Sequence, residues 1–402
     1  MASAPPLIHL EGTTLEGGGQ LLRVALGLST LTKKPINITS IRGNRSRGGG
    51  LKAQHLTGVQ WLSQASNAQS TGAELKSKEL TFIPSTLQIS KTESQTETRN
   101  VTISQKTPGS VNLVLQAILP YILFSGIHSP MRLTISGGTN LTNSPSIEYI
   151  TQVLIPMLKH IGIPPIEIQL HSRGWTQGTT VLGSVTYTIT PLKTTLPAFQ
   201  LVQIGDIVSI TATIIAPKAI ERDFRYALDV MFERRESAFF PTNPPDIEIS
   251  FQDSHHEKRY YLLLVATTST GIKLGRDWLY DRRVQPGGVI PAMVKKVSDD
   301  LLGEIEHGGC VDEYLRDQLI IFQALADGKS AVSGGKREDR LVEMSLHAKT
   351  AAWVVGELLG VQFDDEGTCE GLGFSPGGET AKAEVQEDEL AEKIQKLYVS
   401  DG

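Results

Sequence analysis

Cysteine is nearly absent from this chain: 402 residues hold two, Cys310 and Cys369. They lie far apart and fit no metal-ligand spacing. A disulfide-stapled scaffold is excluded, and a reducing, intracellular compartment is expected. Long apolar runs are missing as well. The most apolar stretch, LVLQAILPYILF from Leu113, is broken by Gln116 and Pro120. It predicts a buried helix and no membrane partner. No charged segment followed by an apolar run opens the chain, so no signal peptide is expected. A Walker A motif is also lacking: GGGLKAQ has no Gly-Lys-Ser/Thr ending, and DGKS at Asp327 has no upstream glycine. No G-x-G-x-x-G follows a strand pattern. A nucleotide, if used, needs a less common site.

The most telling absence is of acid. Between Gly17 and Ala73 there is no Asp or Glu, while Arg23, Lys33, Lys34, Arg42, Arg45, Arg47 and Lys52 all fall there. A chain of formal net charge −5 has gathered positive charge beside two glycine triplets. Glycine lets backbone N–H groups approach an anion, and arginine offers a planar fork that matches phosphate oxygens. The alternative is a solvated basic face on a helix and loop. The net charge argues against nonspecific binding of long nucleic acid, and no DNA partner is expected. It leaves room for gripping one end of a nucleic acid.

What is present is an alternation of strands and helices, an α/β (α+β) pattern of repeated units with sheets covered by helices. Strands are predicted over 7–10, 36–41, 80–83, 101–104, 131–136 and 166–170. Helices are predicted over 19–31, 52–65, 110–124, 145–160, 312–326 and 345–359. A strand, a glycine- or serine-containing loop and a helix recur near 7–31, 36–65, 99–124, 131–160 and 330–359. For the helix at Pro145, Ser144 is the expected N-cap; for the last helix, Ser345 is the N-cap and Gly360 the C-cap. The texture changes over 194–307, where strands at 207–215, 247–251 and 260–267 and helices at 220–237 and 289–305 read as a small inserted α/β domain. The loop from Pro241 and the polar run from Asp253 read as surface turns. The large domain is then 1–193 with 308–374, and 375–402 is an acidic tail with no chemistry.

Four groups of residues carry candidate chemistry. EGGGQLLR places Glu16, three glycines and Arg23 at a strand-to-helix junction, where unpaired N–H groups favour an anion and Glu16 could hold a divalent cation. Gln54 and His55 open the next helix; their plainer role is capping. Tyr314, Asp317 and Gln318 share one helix face, able to stack on a base, touch a metal and read a base edge, or to be an ordinary amphipathic face. His347 lies in the first turn of the last helix, in line with a stripe of Ala351, Val354, Val355 and Leu358. The helix N-terminus disfavours imidazolium, and a neutral imidazole is what a nucleophile toward phosphorus needs. The plainer role is a structural core histidine. His9, His128, His160, His171, His255, His256 and His307 share no metal spacing and read as structural or surface residues.

Taken in order, EGGGQLLR, SIRGNR, QHLTGV, LVLQAILP, SGGTN and HGGCVDEYLRDQLIIFQALADG resemble the RNA 3′-terminal phosphate cyclase family, over residues 7–363 or so. The HGGCVDEYL form is similar to the eukaryotic branch. The resemblance implies an ATP-dependent enzyme that turns an RNA 3′-phosphate into a 2′,3′-cyclic phosphodiester. It implies His347 as the residue carrying AMP. Glu16 and Asp317 match positions tied to Mg²⁺ or Mn²⁺. Arg23, Arg42 and Arg45 match basic positions around phosphates, and Gln54 and His55 match an active-site pair. Gln116, Pro145, Tyr314 and Gln318 match positions around the adenosine. A nuclear location is implied, with the cytoplasm as alternative. Two departures stand out: Arg47-Gly48-Gly49-Gly50-Leu51 replaces a Pro-Gly-Leu string, and GWTQGTTVLGSV from Gly174 replaces a glycine-rich turn. A cyclase-like ribosome biogenesis factor lacks the histidine, and an enolpyruvyl transferase shares only a related architecture.

Overall fold

The computed structural model describes residues 5–45, 48–85, 97–239, 246–283 and 287–378. Arg47, residues 241–245 of the loop at Pro241, and the tail from 379 onward lie outside them. Along the chain, β1 (Ile8–Glu11), α1 (Gln20–Thr32), β2 (Ile36–Thr39), α2 (Ala53–Ser66), β3 (Gln69–Thr71) and β4 (Leu80–Ile83) make a first unit. A second follows: β5 (Arg99–Ser104), α3 (Val111–Phe124), β6 (Met131–Gly137), α4 (Ile147–Tyr149), a π turn (Ile150–Leu154), α5 (Ile155–His160), β7 (Ile166–Ser172) and β8 (Gly183–Ile189). Their sheets have the same order, β1-β2-β4-β3 and β5-β6-β8-β7, with the first pair parallel and the others antiparallel. The recurrence visible in the sequence is therefore a true topological repeat.

The chain then enters β9 (Gln200–Leu201), β10 (Ile207–Ala216), a 3₁₀ turn, α6 (Glu221–Phe239), β11 (Asp246–Asp253), β12 (Tyr261–Thr268), β13 (Lys273–Leu279) and α7 (Val289–Glu306). Strands β10 to β13 form a sheet of their own, β11-β10-β12-β13. After it come α8 (Glu313–Leu325), β14 (Lys329–Val332), the hairpin β15 (Lys336–Arg337) and β16 (Arg340–Leu341), α9 (Leu346–Leu359) and β17 (Thr368–Glu370). β9 pairs parallel with β14, and β14 antiparallel with β17. That repeats β1-β2-β4 in a third, shortened unit, with β10 to α7 lying between its first strand and its first helix.

The helices of the three units pack on each other: α1 against α3 and α9, α2 against α3, and α8 against α9. The apolar faces that the sheets cannot bury alone are covered this way. Helix α3 is buried along nearly its whole length, as its composition demands, and Pro120 sits inside it. No described helix is long and apolar enough to cross a membrane.

Three expectations are corrected. The cap of α4 is Ser146, whose Oγ accepts from the Tyr149 N–H at 3.0 Å, and not Ser144; Pro145 stays outside the helix. Ser144 instead shares a hydrogen bond with Ser110. The segment from Gly174 is not merely a turn: it runs into β8, whose alternating Val185, Tyr187 and Ile189 are buried. Finally, His347 does not lie on the buried stripe of α9. That stripe is Ala348, Ala351, Val354, Val355 and Leu358, and the imidazole is exposed. His347 keeps the spacing of that face, four residues before Ala351 and seven before Val354, but it stands in the first turn, where Leu346 and His347 are both exposed.

Candidate functional site

The start of α1 shows why glycine is needed there. A Cβ on Gly19 would stand 2.8 Å from His55 Nε2 and 2.9 Å from Arg23 Nη1. Two nitrogen donors thus close on a backbone that has no side chain to obstruct them. His55 Nδ1 accepts the Lys52 N–H at 3.2 Å, which leaves the neutral ring with its proton on Nε2, facing Gly19. Burial, then the charges of Arg23, Arg42 and Lys52, depress the His55 pKa to about 3. Arg23 is held by Gln20 Oε1, and burial lowers its pKa to about 10 against the opposing pull of Asp317. Its Nε is buried without a partner. Arg42 donates to the Gly50 carbonyl at 3.2 Å. Burial, then Arg42 and Arg45, lowers the pKa of Lys52.

These are crowded cations short of counter-charge. Glu16 is the exception: its side chain, 5% exposed, pairs with Arg45. Its second oxygen, Oε2, is buried with no partner. The Glu16 N–H donates to Thr350 Oγ1 at 3.1 Å, which ties this loop to α9 one turn beyond His347. His347 is exposed at the start of α9. Desolvation first, then Arg23 and Arg45, holds its pKa below the usual imidazole value, against the opposing effect of Glu313.

Next to this cluster lies a narrow cleft between α1, α3, the α4–α5 segment and α8. Gln20, Arg23, Asn112, Gln116, Asp317 and Gln318 are its polar lining. Gln116 Oε1 and Gln318 Oε1 are buried and unpartnered. Burial raises the pKa of Asp317 to about 7, with Arg23 working in the opposite direction. Arg23, Gln116, Asp317 and Gln318 are therefore brought together in one lining. Pro145 borders this group through its carbonyl, which accepts from Asn112 at 2.8 Å. Tyr314 does not line the cleft. It is 39% exposed and packs edge-on to Tyr149 and beneath Arg276. Gln54 Oε1 accepts from the Ser110 N–H at 3.0 Å, joining α2 to the N-cap of α3.

Glu16 and Asp317 fit a hard divalent cation by donor chemistry, since one has an unpartnered buried oxygen and the other a carboxylate in the cleft. Glu16 faces Arg45 and Asp317 faces Arg23. Among the described residues no three His, Cys, Asp or Glu side chains gather into a metal cluster. A bound cation would need phosphate oxygens to complete its shell, as Mg²⁺ commonly does.

Asp312 was missed in the sequence. It caps α8 at Tyr314 and Leu315, accepts from Tyr149 Oη at 2.6 Å and from the Gly275 N–H at 2.8 Å. Burial pushes its pKa to about 7. Its place before a helix signals a cap, but nothing local signals the long-range partners. Lys52 was visible in the acid-free span, without a role.

Repeated βαβαββ units, with Arg23 at the start of α1 and Asp317 on α8 facing one cleft between their helices, define the class: an α/β protein built from repeated units around a shared cleft. The family model described as RNA 3′-terminal phosphate cyclase matches residues 14–364, and the chain belongs to that family. It is 32% identical to the RNA 3′-terminal phosphate cyclase of Drosophila melanogaster, over 94% of this chain and 95% of that protein. It is 31% identical to a probable RNA 3′-terminal phosphate cyclase of Dictyostelium discoideum, over 92% and 84%. The Thermococcus gammatolerans RNA 3′-terminal phosphate cyclase is 32% identical, over 90% and 94%.

Proposed function

We propose that this chain converts the 3′-phosphate of RNA into a 2′,3′-cyclic phosphodiester at the expense of ATP, with His347 carrying AMP between the two substrates. The observation that carries the reading is His347 itself: it stands at a helix start, where desolvation first and then the charges of Arg23 and Arg45 lower its pKa and favour the neutral ring. A neutral imidazole has a lone pair to give. It attacks the α-phosphorus of ATP, the bond to pyrophosphate breaks, and the ring loses a proton as the phosphoramidate forms. An oxygen of the RNA 3′-phosphate then takes the AMP, and the P–N bond breaks to restore the ring. The neighbouring 2′-hydroxyl attacks the activated phosphorus, loses its proton and expels AMP.

The remaining side chains act by position and charge. Arg23, Arg42 and Arg45 meet negative charge on the non-bridging oxygens, and His55 Nε2–H adds a donor beside Gly19. Gln116 and Gln318 meet the adenosine inside the cleft, and Tyr314 and Pro145, next to Gln318 and Asn112 but outside the lining, meet the part of it that projects from the cleft. Gln54, whose Oε1 is taken by the Ser110 N–H, keeps its amide NH2 for the phosphates. Glu16 and Asp317 would hold Mg²⁺ or Mn²⁺, which when bound neutralises phosphate charge. A nuclear location fits the proposed work on RNA.

The test is incubation of the full chain with α-labelled ATP and Mg²⁺ or Mn²⁺. Acid-labile label on the protein is expected, abolished in His347→Ala. Because the His347 pKa is lowered, labelling should persist at a pH below 6.5. Equal labelling of the variant overturns the assigned nucleophile. No labelling of the wild-type chain favours the non-catalytic, ribosome-biogenesis type of relative.

A further inference from the structure

Three consecutive residues of β13 reach the elements proposed to surround the adenosine. The Gly275 N–H donates to Asp312 Oδ2, the cap of α8, at 2.8 Å. Asp277 Oδ2 accepts from Ser146 Oγ at 2.7 Å and from Tyr261 Oη at 2.9 Å, and Ser146 is the cap that follows Pro145. Between them, the Arg276 guanidinium carbon lies 4.5 Å from the centre of the Tyr314 ring. Its Nη1 donates to Glu304 Oε1 at 2.8 Å, on α7, and to Glu313 Oε2 at 3.0 Å, next to Tyr314 on α8. The Arg276 side chain is only 11% exposed.

We propose that Arg276 is a positioning residue for the nucleotide site: its guanidinium, anchored by Glu304 and Glu313, holds the Tyr314 ring ready to receive the adenine base. This rests on the reading of Tyr314 as a base-contacting residue. A tyrosine in the first turn of a helix, with 39% of its surface open, otherwise samples several rotamers. Ligand binding would have to freeze it. Fixing the ring beforehand removes that ordering cost from binding. Arginine suits the task because one planar group can meet two carboxylates and still lie against an aromatic face, which a lysine ammonium cannot.

The test is calorimetric titration of ATP into the full chain, comparing wild type, Arg276→Met, Arg276→Lys, Tyr314→Leu and the two double variants. Arg276→Met should weaken ATP affinity roughly 2- to 30-fold, the factor that a cation–π contact of this kind represents. In the Tyr314→Leu background the same change should have no further effect. The KM for ATP in histidine labelling should rise while kcat at saturating ATP stays within about twofold. If Arg276→Met does not fold, Arg276→Lys keeps a cation for both carboxylates and carries the comparison. ATP affinity unchanged by either substitution, or lowered equally with and without the Tyr314 ring, overturns the proposal. A wild-type chain that binds no ATP overturns the nucleotide reading beneath it as well.

Discussion

His55 shows how one side chain can link the site to the stability of the whole chain. Its folded pKa is about 3, against a reference near 6.5. Between those values the unfolded chain binds a proton that the native ring refuses, so stability contributed by the neutral ring is lost as the pH falls from about 6.5 towards 3. The full effect is on the order of 5 kcal/mol. Asp312 and Asp317, raised to about 7, act in the opposite sense: their protonation in the fold favours it between about 4 and 7. They are present in wild type and in His55→Gln alike. The stability of wild type relative to His55→Gln should therefore decline steadily from pH 6.5 to pH 4 in denaturant titrations. A difference that stays flat over that range would mean the ring is protonated in the fold, and not a neutral donor beside Gly19.

Helix α9 is where local sequence signals and chemistry coincide. Ser345 Oγ accepts from the Ala348 N–H at 3.2 Å, and Gly360 closes the helix in a left-handed conformation. The cap sets where the first turn begins, and thus where His347 stands. Ser345→Ala should lower stability by about 1 kcal/mol and reduce histidine labelling more than fivefold, because a frayed first turn carries the nucleophile with it. Ser345→Asp, which can still cap, should restore most of both. The α4–α5 segment teaches the reverse lesson. Ser144, Pro145 and Ser146 offer two hydroxyls as caps, and only the contacts of Ser146 with Tyr261 and Asp277 select it.

At the scale of the molecule, the sheet β11-β10-β12-β13 meets the repeated units through a close approach of backbone. A Cβ on Gly275 would lie 2.6 Å from Val153 Cγ2 and 3.2 Å from Tyr149 Cε2. Gly275→Ala should push β13 away from α4 and the π turn and cost about 1–3 kcal/mol, as overpacking does. It should also weaken ATP binding, since moving β13 draws the backbone N–H of position 275 away from Asp312 Oδ2. Thermal unfolding with and without ATP checks both effects. A substitution that melts like wild type would show that this junction gives freely. A second junction lies at the segment after β7, where Arg259 donates to the Gln177 and Thr179 carbonyls and sits over the Trp175 ring.

The sequence by itself determined the element types, the recurrence of strand and helix, the cationic character of residues 17–73 and the candidates in their helices. Those properties are local: periodicity, capping residues and charge count survive being read one residue at a time. Only the tertiary structure decided that His347 is exposed, that Gln54 serves Ser110, that Tyr314 lies under Arg276 and that Asp312 joins α8 to β13. Each of those depends on contacts between residues tens to hundreds of positions apart. Periodicity and caps carry no information about which distant surface a side chain will meet, since that is settled when the helices of three units pack together.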